Sequence, residues 1–289
     1  MHILAGFRYD NAKTSTSNEN LGVRTPTIKD TNDRISPRAG VLWRPVPEFS
    51  LYGSYTENFG ASNTFTAGSL VPLPPQTAQQ WEVGAKTELF GGRFVGSLAY
   101  FDLTKQNIAV PVPGTLFSRA IGEAQTRGIE LDVSGEILPG WSAIASYTYM
   151  PFAKVTNDVG DDGSGNPTPG NTGNRLFNTT RNMGSLWTTY AFQDEELQGV
   201  KLRGLKVGAG MQAAGERQGD AGNLFQLPGY AIANAMASYE WRMGMTKMTA
   251  QLNVSNLFDK TYYAGTIGGP YFIMPGMPRF FMGSIRMEF

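Results

Sequence analysis

Three stretches of the sequence carry residue types that could do chemistry. His2 is the only histidine among 289 residues, and there is no cysteine. That removes thiolate and Cys/His metal sites and leaves any Ser-His-Asp triad dependent on a residue beside the N-terminus. The run NDVGDDGSGN offers Asp158, Asp161 and Asp162 as oxygen ligands for calcium. It lacks the spacing and closing glutamate of an EF-hand loop, so it reads as a solvated loop tip. GAGMQAAG, from Gly208 to Gly215, has the glycines of a dinucleotide-binding loop but the wrong spacing, and no helix follows it. No nucleophile with a base, paired carboxylates or ligand cluster converges in the pattern. The expectation is a protein that is not an enzyme and carries no metal or cofactor of its own.

Charge excludes a further class. Lysine plus arginine and aspartate plus glutamate both number 24, mixed along the chain, so no basic footprint for nucleic acid is present. No run reaches the roughly 18 apolar residues of a membrane helix. The opening MHILAGFRYDN lacks the basic, apolar and small-residue order of a signal peptide. Hydropathy alone reads as soluble, but transmembrane barrels escape such scans because their strands alternate faces.

That alternation is what the elements show. In WEVGAKTEL, Trp81, Val83, Ala85 and Leu89 oppose Glu82, Lys86 and Glu88. In IELDVSGEI, Ile129, Leu131, Val133 and Ile137 oppose Glu130, Asp132, Ser134 and Glu136. In AQLNVSNLF, Ala250, Leu252, Val254 and Phe258 oppose Gln251, Asn253 and Ser255. Period two over such lengths predicts strands with one oily and one wet face. About twelve are predicted on this basis, near 2–10, 35–44, 48–59, 77–90, 93–108, 119–138, 141–156, 178–193, 201–216, 228–242, 246–260 and 276–289. Short connections (RPVPE, FGG, LPG, DEELQG, RMGM) alternate with long ones near 11–34, 60–76, 109–118, 157–177, 217–227 and 261–275. All the long loops therefore lie at one end of the sheet, as in up-and-down outer-membrane barrels. Trp81 with Phe90, and Trp141 with Tyr149, bracket apolar faces as interface girdles do. The competing reading of the pattern is a soluble β-sandwich or solenoid with one solvated face.

The chain ends MPRFFMGSIRMEF. Phe281, Gly283, Ile285, Met287 and Phe289 fall on one side and Ser284, Arg286 and Glu288 on the other, which predicts a last wall strand with its aromatic residue at the terminus.

Several stretches resemble a known family. NVSNLFDKTYY (Asn253 to Tyr263) and GMPRFFMGSIRMEF (Gly276 to Phe289) are similar to the C-terminal signature of TonB-dependent outer-membrane receptors. QTAQQWEVGAKTELFGGRFVGSLAYFDLTKQNI, GEAQTRGIELDVSGEILPGWSAIASYTY, GNRLFNTTRNMGSLWTTY and GERQGD are similar to its ferric-siderophore branch, including ferrichrome-like receptors. The resemblance implies an all-β antiparallel transmembrane barrel of 22 strands whose lumen holds an N-terminal plug. It implies that 1–289 is a C-terminal portion of that barrel, with the signal peptide, TonB box, plug and first strands outside this sequence. A Gram-negative outer membrane is the implied location, with ferric siderophore, the TonB complex (through the plug), outer-membrane lipid and the barrel assembly machinery as partners. Iron enters only as the siderophore chelate, and nucleic acid is not a partner. A passive porin-like or adhesin-like barrel is the alternative function, and cobalamin or haem the alternative cargo.

The same resemblance assigns residues. Glu82 in WEVGAK and Glu130 in RGIELD match two barrel glutamates that contact the plug; facing lumenal water is the plainer role for both. Phe65, Phe117, Phe225, Tyr262, Tyr263, Tyr271 and Phe272 are the loop aromatics placed to cup an apolar-rimmed chelate, with girdle or loop packing as the plainer role. Phe289 matches the terminal aromatic that the assembly machinery recognises. About twelve strands cannot enclose a barrel of the family's girth, so an open wall with two unpaired edges is expected, or re-closure as a smaller barrel. In neither form is the chain alone expected to transport.

Overall fold

In a computed structural model of the chain, the described residues are 1–17, 19–20, 23–24, 27–61, 72–111, 118–158, 160–161, 167–168, 170–193, 196–197 and 200–289. No helix occurs among them. Twelve strands form one antiparallel sheet: β1 (His2–Thr16), β2 (Ile28–Val46), β3 (Phe49–Gly60), β4 (Gln76–Leu89), β5 (Phe94–Pro111), β6 (Ser118–Leu138), β7 (Trp141–Asn157), β8 (Asn182–Ala191), β9 (Leu205–Ala214), β10 (Tyr230–Met243), β11 (Thr246–Ser255) and β12 (Phe280–Glu288). Each strand pairs only with its neighbours in the chain, from β1 through to β12. β1 and β12 are not joined, so the wall is open and does not re-close as a smaller barrel.

The faces follow the alternation. On β4, Trp81 and Val83 stand exposed while Glu82 and Gly84, which alternate with them, are half-buried. Leu98 and Tyr100 on β5, and Ile129 and Leu131 on β6, lie beside them on the same apolar face. Aromatics cluster at both rims of that face. At the short-turn end, Trp141 Nε1 donates to Thr188 Oγ1 at 2.7 Å, and Tyr239 stacks on Trp241 with ring centroids 6.1 Å apart. At the other end Tyr55 packs on Trp81, centroids 4.5 Å apart. From Trp81 to Phe90 the strand runs about 30 Å, or about 23 Å of height at a tilt near 40°, which matches the apolar band of an outer-membrane barrel.

Tight reversals close the short end except between β8 and β9, where the connection expected to be the short DEELQG turn runs from 192 to 204 and carries a two-residue ladder of its own, Glu196–Leu197 with Val200–Lys201, so the long connections are not all at the other end. In the turn between β4 and β5, Phe90, Gly91 and Gly92 take φ of 56°, 68° and 86°, a sequence of left-handed residues that two glycines make accessible. The other end is built differently, because several strands overshoot the membrane. β6 has 21 residues, whereas crossing takes about 10, so its upper half stands clear of lipid. There the wall has a small core of Ile121, Ala124 and Val155, with Ile108, Leu176 and Phe177 packed against it. Leu176 and Phe177 come from the β7–β8 connection. Val155 N donates to Asn174 O at 2.9 Å, Gly173 N to Val155 O at 2.8 Å and Leu176 N to Ala153 O at 2.9 Å. The connection thus continues the sheet beside upper β7, in the space above the start of β8.

Candidate functional site

The long connections carry short ladders of their own. Arg217–Gln218 pairs with Gln226–Leu227 in the β9–β10 connection, and Tyr263–Thr266 pairs with Ile273–Pro275 in the β11–β12 connection. These two hairpins and the segment 170–181 are tied to one another. Asn178 N donates to Gln218 O at 2.8 Å, and Asn174 Nδ2 donates to Ala221 O at 3.0 Å. Arg175 N donates to Asn223 Oδ1 at 2.9 Å, while Asn223 Nδ2 returns a bond to Arg175 O at 2.8 Å.

Two guanidinium groups organise this cluster, and neither meets a carboxylate within 4.0 Å among the described residues. Arg175 spends its side chain on main-chain carbonyls: Nη2 on Met150 at 2.9 Å and Thr180 at 3.0 Å, Nη1 on Pro151 at 3.2 Å, and Nε on Thr179 at 3.4 Å. Burial pulls its pKa below the ordinary guanidinium value, and the like charge of Arg181 adds to the effect. Arg217, 4% exposed, lies over the Tyr230 ring at 5.5 Å and donates through Nη2 to the carbonyl of Tyr263. Tyr230 in turn packs on Tyr262, ring centroids 4.5 Å apart.

A third fixture holds the neighbouring loop. Arg119, near the top of β6, grips Asp158 through Nη1 at 2.5 Å and Nη2 at 2.7 Å, and Asn171 N adds a bond to the same carboxylate at 2.7 Å. Burial pushes the Asp158 carboxyl up, but Arg119 and the Asn171 hydrogen bonds outweigh it and hold the group below its usual range. The carboxylate is therefore buried and committed to protein donors, so Asp158 is a loop anchor and neither the solvated loop tip read from the sequence nor a calcium ligand. The Asp161 side chain and Asp162 lie outside the described residues. No group of three or more metal-binding side chains occurs among those described.

The loop aromatics separate into three groups. Phe65 and Phe117 lie outside the described residues. Phe225 and Tyr262 are half-buried, each laid against a glycine, Gly219 and Gly276 respectively, where a side chain would collide with the ring. Tyr263, Tyr271 and Phe272 are exposed, the last two at the tip of the β11–β12 hairpin, and Leu224 is exposed beside Phe225 in the β9–β10 connection.

The wall glutamates lie lower, on the face opposite Trp81. Glu82 is opposite Phe101 in the ladder and Glu130 opposite Ala99, which places them on one side of the sheet, two strands apart. Glu82 accepts from Tyr52 Oη at 2.6 Å and from Gln80 Nε2 at 3.0 Å, so each of its oxygens has a donor. Glu130 is exposed and has no ion-pair partner among the described residues. Phe289 lies beyond β12, fully exposed.

Sequence reasoning passed over Arg175, Arg217 and Asn256. Asn256 is 2% exposed with φ of 50°. Its amide accepts from Lys260 N at 2.9 Å and donates to Lys260 O at 2.8 Å and Met277 O at 3.1 Å. The signal was in view, since Asn256 sits within NVSNLFDK, where asparagine is suited to a left-handed turn.

A twelve-stranded meander with aromatic rims, an apolar outer face and most of its longer connections at one end is the wall of an outer-membrane β-barrel. The family model described as TonB dependent receptor-like, beta-barrel matches residues 1–257, and the chain belongs to that family. It is 30% identical over 292 residues to the metal-pseudopaline receptor CntO of Pseudomonas aeruginosa, covering 99% of this chain and 38% of that receptor. It is 30% identical over 264 residues to the ferrichrome outer membrane transporter/phage receptor of Escherichia coli K12, covering 91% of this chain and 33% of that protein. Among solved structures, the siderophore receptor PiuA from Acinetobacter baumannii superposes with a TM-score of 0.78 at 26% identity, covering 99% of this chain and 40% of PiuA. The chain thus spans between a third and two fifths of the length of these relatives.

Proposed function

We propose that this chain supplies the wall and extracellular loops of a receptor that takes up ferric siderophore across the outer membrane, energised through TonB. The observation that carries the reading is the chain-long similarity to relatives named as receptors for siderophores and other metal chelates. The exposed aromatics of the loop cluster support it, since a bulky chelate with an apolar rim is held by such side chains and a few polar groups. Those relatives are receptors and transporters, and no enzymatic role is proposed. Glu82 and Glu130 face the lumen in this reading; Glu130, with no ion-pair partner, is the one open to a cation on a plug. Phe289 serves recognition by the assembly machinery.

The test is titration of the intact protein in outer-membrane preparations with ferric hydroxamate and ferric catecholate chelates, following quenching of tyrosine and tryptophan fluorescence. Saturable quenching by at least one class, lost on Tyr271→Ala with Phe272→Ala, is the expected result. Quenching that persists after both substitutions removes these aromatics from the site. Reconstituted alone in liposomes, the 289-residue chain is expected not to accumulate ferric chelate, and uptake by it would overturn the view that it provides wall and loops only.

A further inference from the structure

Arg217 is buried, positively charged and distant in sequence from everything it touches except its own hairpin. A buried guanidinium without a carboxylate is costly to hold, so its contacts identify what it is retained for. They all lead to the neighbouring hairpin. Nη2 donates to the Tyr263 carbonyl, and the guanidinium plane covers Tyr230, whose other contact is the Tyr262 ring. Tyr262 is seated on Gly276, and Gly276 N donates to Tyr262 O at 2.8 Å. The side chain therefore reaches both the main chain and, through one ring, the side chain of adjacent residues in the β11–β12 connection. Arg175 braces the other flank less directly: its guanidinium holds the carbonyls of 150, 151, 179 and 180, and its main-chain N and O, kept in place by that brace, bond Asn223 of the β9–β10 connection.

We infer that Arg217 is the positioning residue of the ligand-facing loops. It fixes Tyr262 and Tyr263, and with Arg175 it makes the segments 170–181, 217–227 and 262–276 one rigid body that presents its aromatic tip to a chelate as a unit. The inference rests on the ligand reading proposed above for what the tip meets, but not for the bracing itself. Planarity matters here: arginine can donate to a carbonyl while its face covers a ring, whereas lysine keeps the charge and loses the second contact. Preorganised loops bind without first giving up their own freedom, so loosening them weakens binding even when every contacting side chain is kept.

The experiment is amide hydrogen exchange on the intact protein in outer-membrane preparations, read segment by segment, for Arg217→Gln, Arg217→Lys and Arg175→Gln. Arg217→Gln is expected to raise exchange in both 217–227 and 262–276, and Arg217→Lys to raise it less. Arg175→Gln is expected to raise exchange in 262–276, a segment it does not touch. Exchange that rises only in the mutated residue's own segment overturns the rigid body, and equal effects of glutamine and lysine overturn the role given to the planar group. Heat-modifiable migration reports whether the wall has formed. Where Arg217→Gln fails that check, Tyr230→Leu removes the bridging ring and is expected to loosen the same two segments. Chelate affinity in Arg217→Gln is expected to fall about tenfold, as for loss of preorganisation; unchanged affinity with loosened loops overturns the positioning role. Wild-type protein that binds no ferric chelate, yet shows the exchange pattern, defeats the ligand reading and leaves the brace standing.

Discussion

Arg119 and Asp158 form a two-pronged ion pair, at 2.5 Å and 2.7 Å, that joins the upper end of β6 to the first residue beyond β7. The Asp158 side chain is fully buried and the Arg119 side chain is 21% exposed, so neither solvent nor salt screens the pair as it would a surface one. Removing one member strands the other, and Asp158→Ala is expected to cost the loop about 3 kcal/mol of local stability. Limited proteolysis of the β7–β8 connection measures this.

The same pair gives the loop a pH dependence of definite sign. The folded carboxyl titrates below the ordinary value of 3.8, so the stabilisation is complete above that value and is lost as pH falls through the lower, folded pKa. Protection in 158–174, each measured exchange rate being compared with the intrinsic amide rate at the same pH, is expected to stay constant from neutral pH down to about 4 and to fall below it; a fall already near pH 6 would point to another group.

Gly84 lies under the ring of Tyr52, and an added Cβ would sit 2.6 Å from the ring and 2.7 Å from the Leu98 carbonyl oxygen. Gly84→Ala displaces Tyr52 and with it the bond to Glu82. A cost of about 1 to 3 kcal/mol is expected, as for overpacking. Urea titration of refolded protein in detergent, read by heat-modifiable migration, gives the value, and a neutral result would mean the ring moves aside freely.

Asn256 closes the turn after β11 with three hydrogen bonds from a nearly inaccessible amide. Asn256→Ala leaves those main-chain groups unpaired in a left-handed residue, with an expected loss of about 3 kcal/mol. Asn256→Asp retains the acceptor for Lys260 N and is expected to lose less. Both are read by the same urea titration.

Phe289 projects beyond β12 without packing, so deleting it is expected to leave the refolded wall as stable as before while lowering insertion into outer membranes in cells. A parallel fall in refolded stability would make its role structural.

In an intact receptor with its plug, Glu130→Ala is expected to mobilise the plug more than Glu82→Ala, because Glu82 is already held by Tyr52 and Gln80. Cross-linking between engineered cysteines on plug and wall measures it, and equal effects would contradict that ranking.

The wall was legible where lipid constrains the sequence and illegible where it does not. The expected segment 77–90 matches Gln76–Leu89 within a residue, and the lower half of 119–138 ends as expected at Leu138, since the outward side chains there are apolar apart from Thr87 and a glycine. The segment expected at 2–10 runs on to Thr16, and the one at 35–44 begins at Ile28. NAKTST and IKDTND stand above the membrane, where both faces meet water and no alternation is imposed. The segment expected to reach 260 stops at Ser255, because Asn256 and Asp259 take φ of 50° and 53°. Residues 178–181 are likewise no strand, with Asn178 at a φ of 58°. Glu82 and Tyr262 could be singled out by motif, but the bracing by Arg175 and Arg217 could not. Its acceptors are carbonyl oxygens, which every residue possesses, so side-chain identity gives no sign of them.

The strictly sequential pairing of β1 to β12 has a consequence for how such a wall is made. Every ladder joins strands that follow one another along the chain, so each hairpin can form as soon as its second half is available, with only the one intervening connection to close. The rate-limiting search of most β proteins, for a partner far away in sequence, is absent from these twelve strands. It is deferred to a single event, the meeting of the two edges with whatever completes the circle. A defect within the wall should therefore stall assembly at its own hairpin, whereas a defect at an edge should let the wall form and halt only its closure.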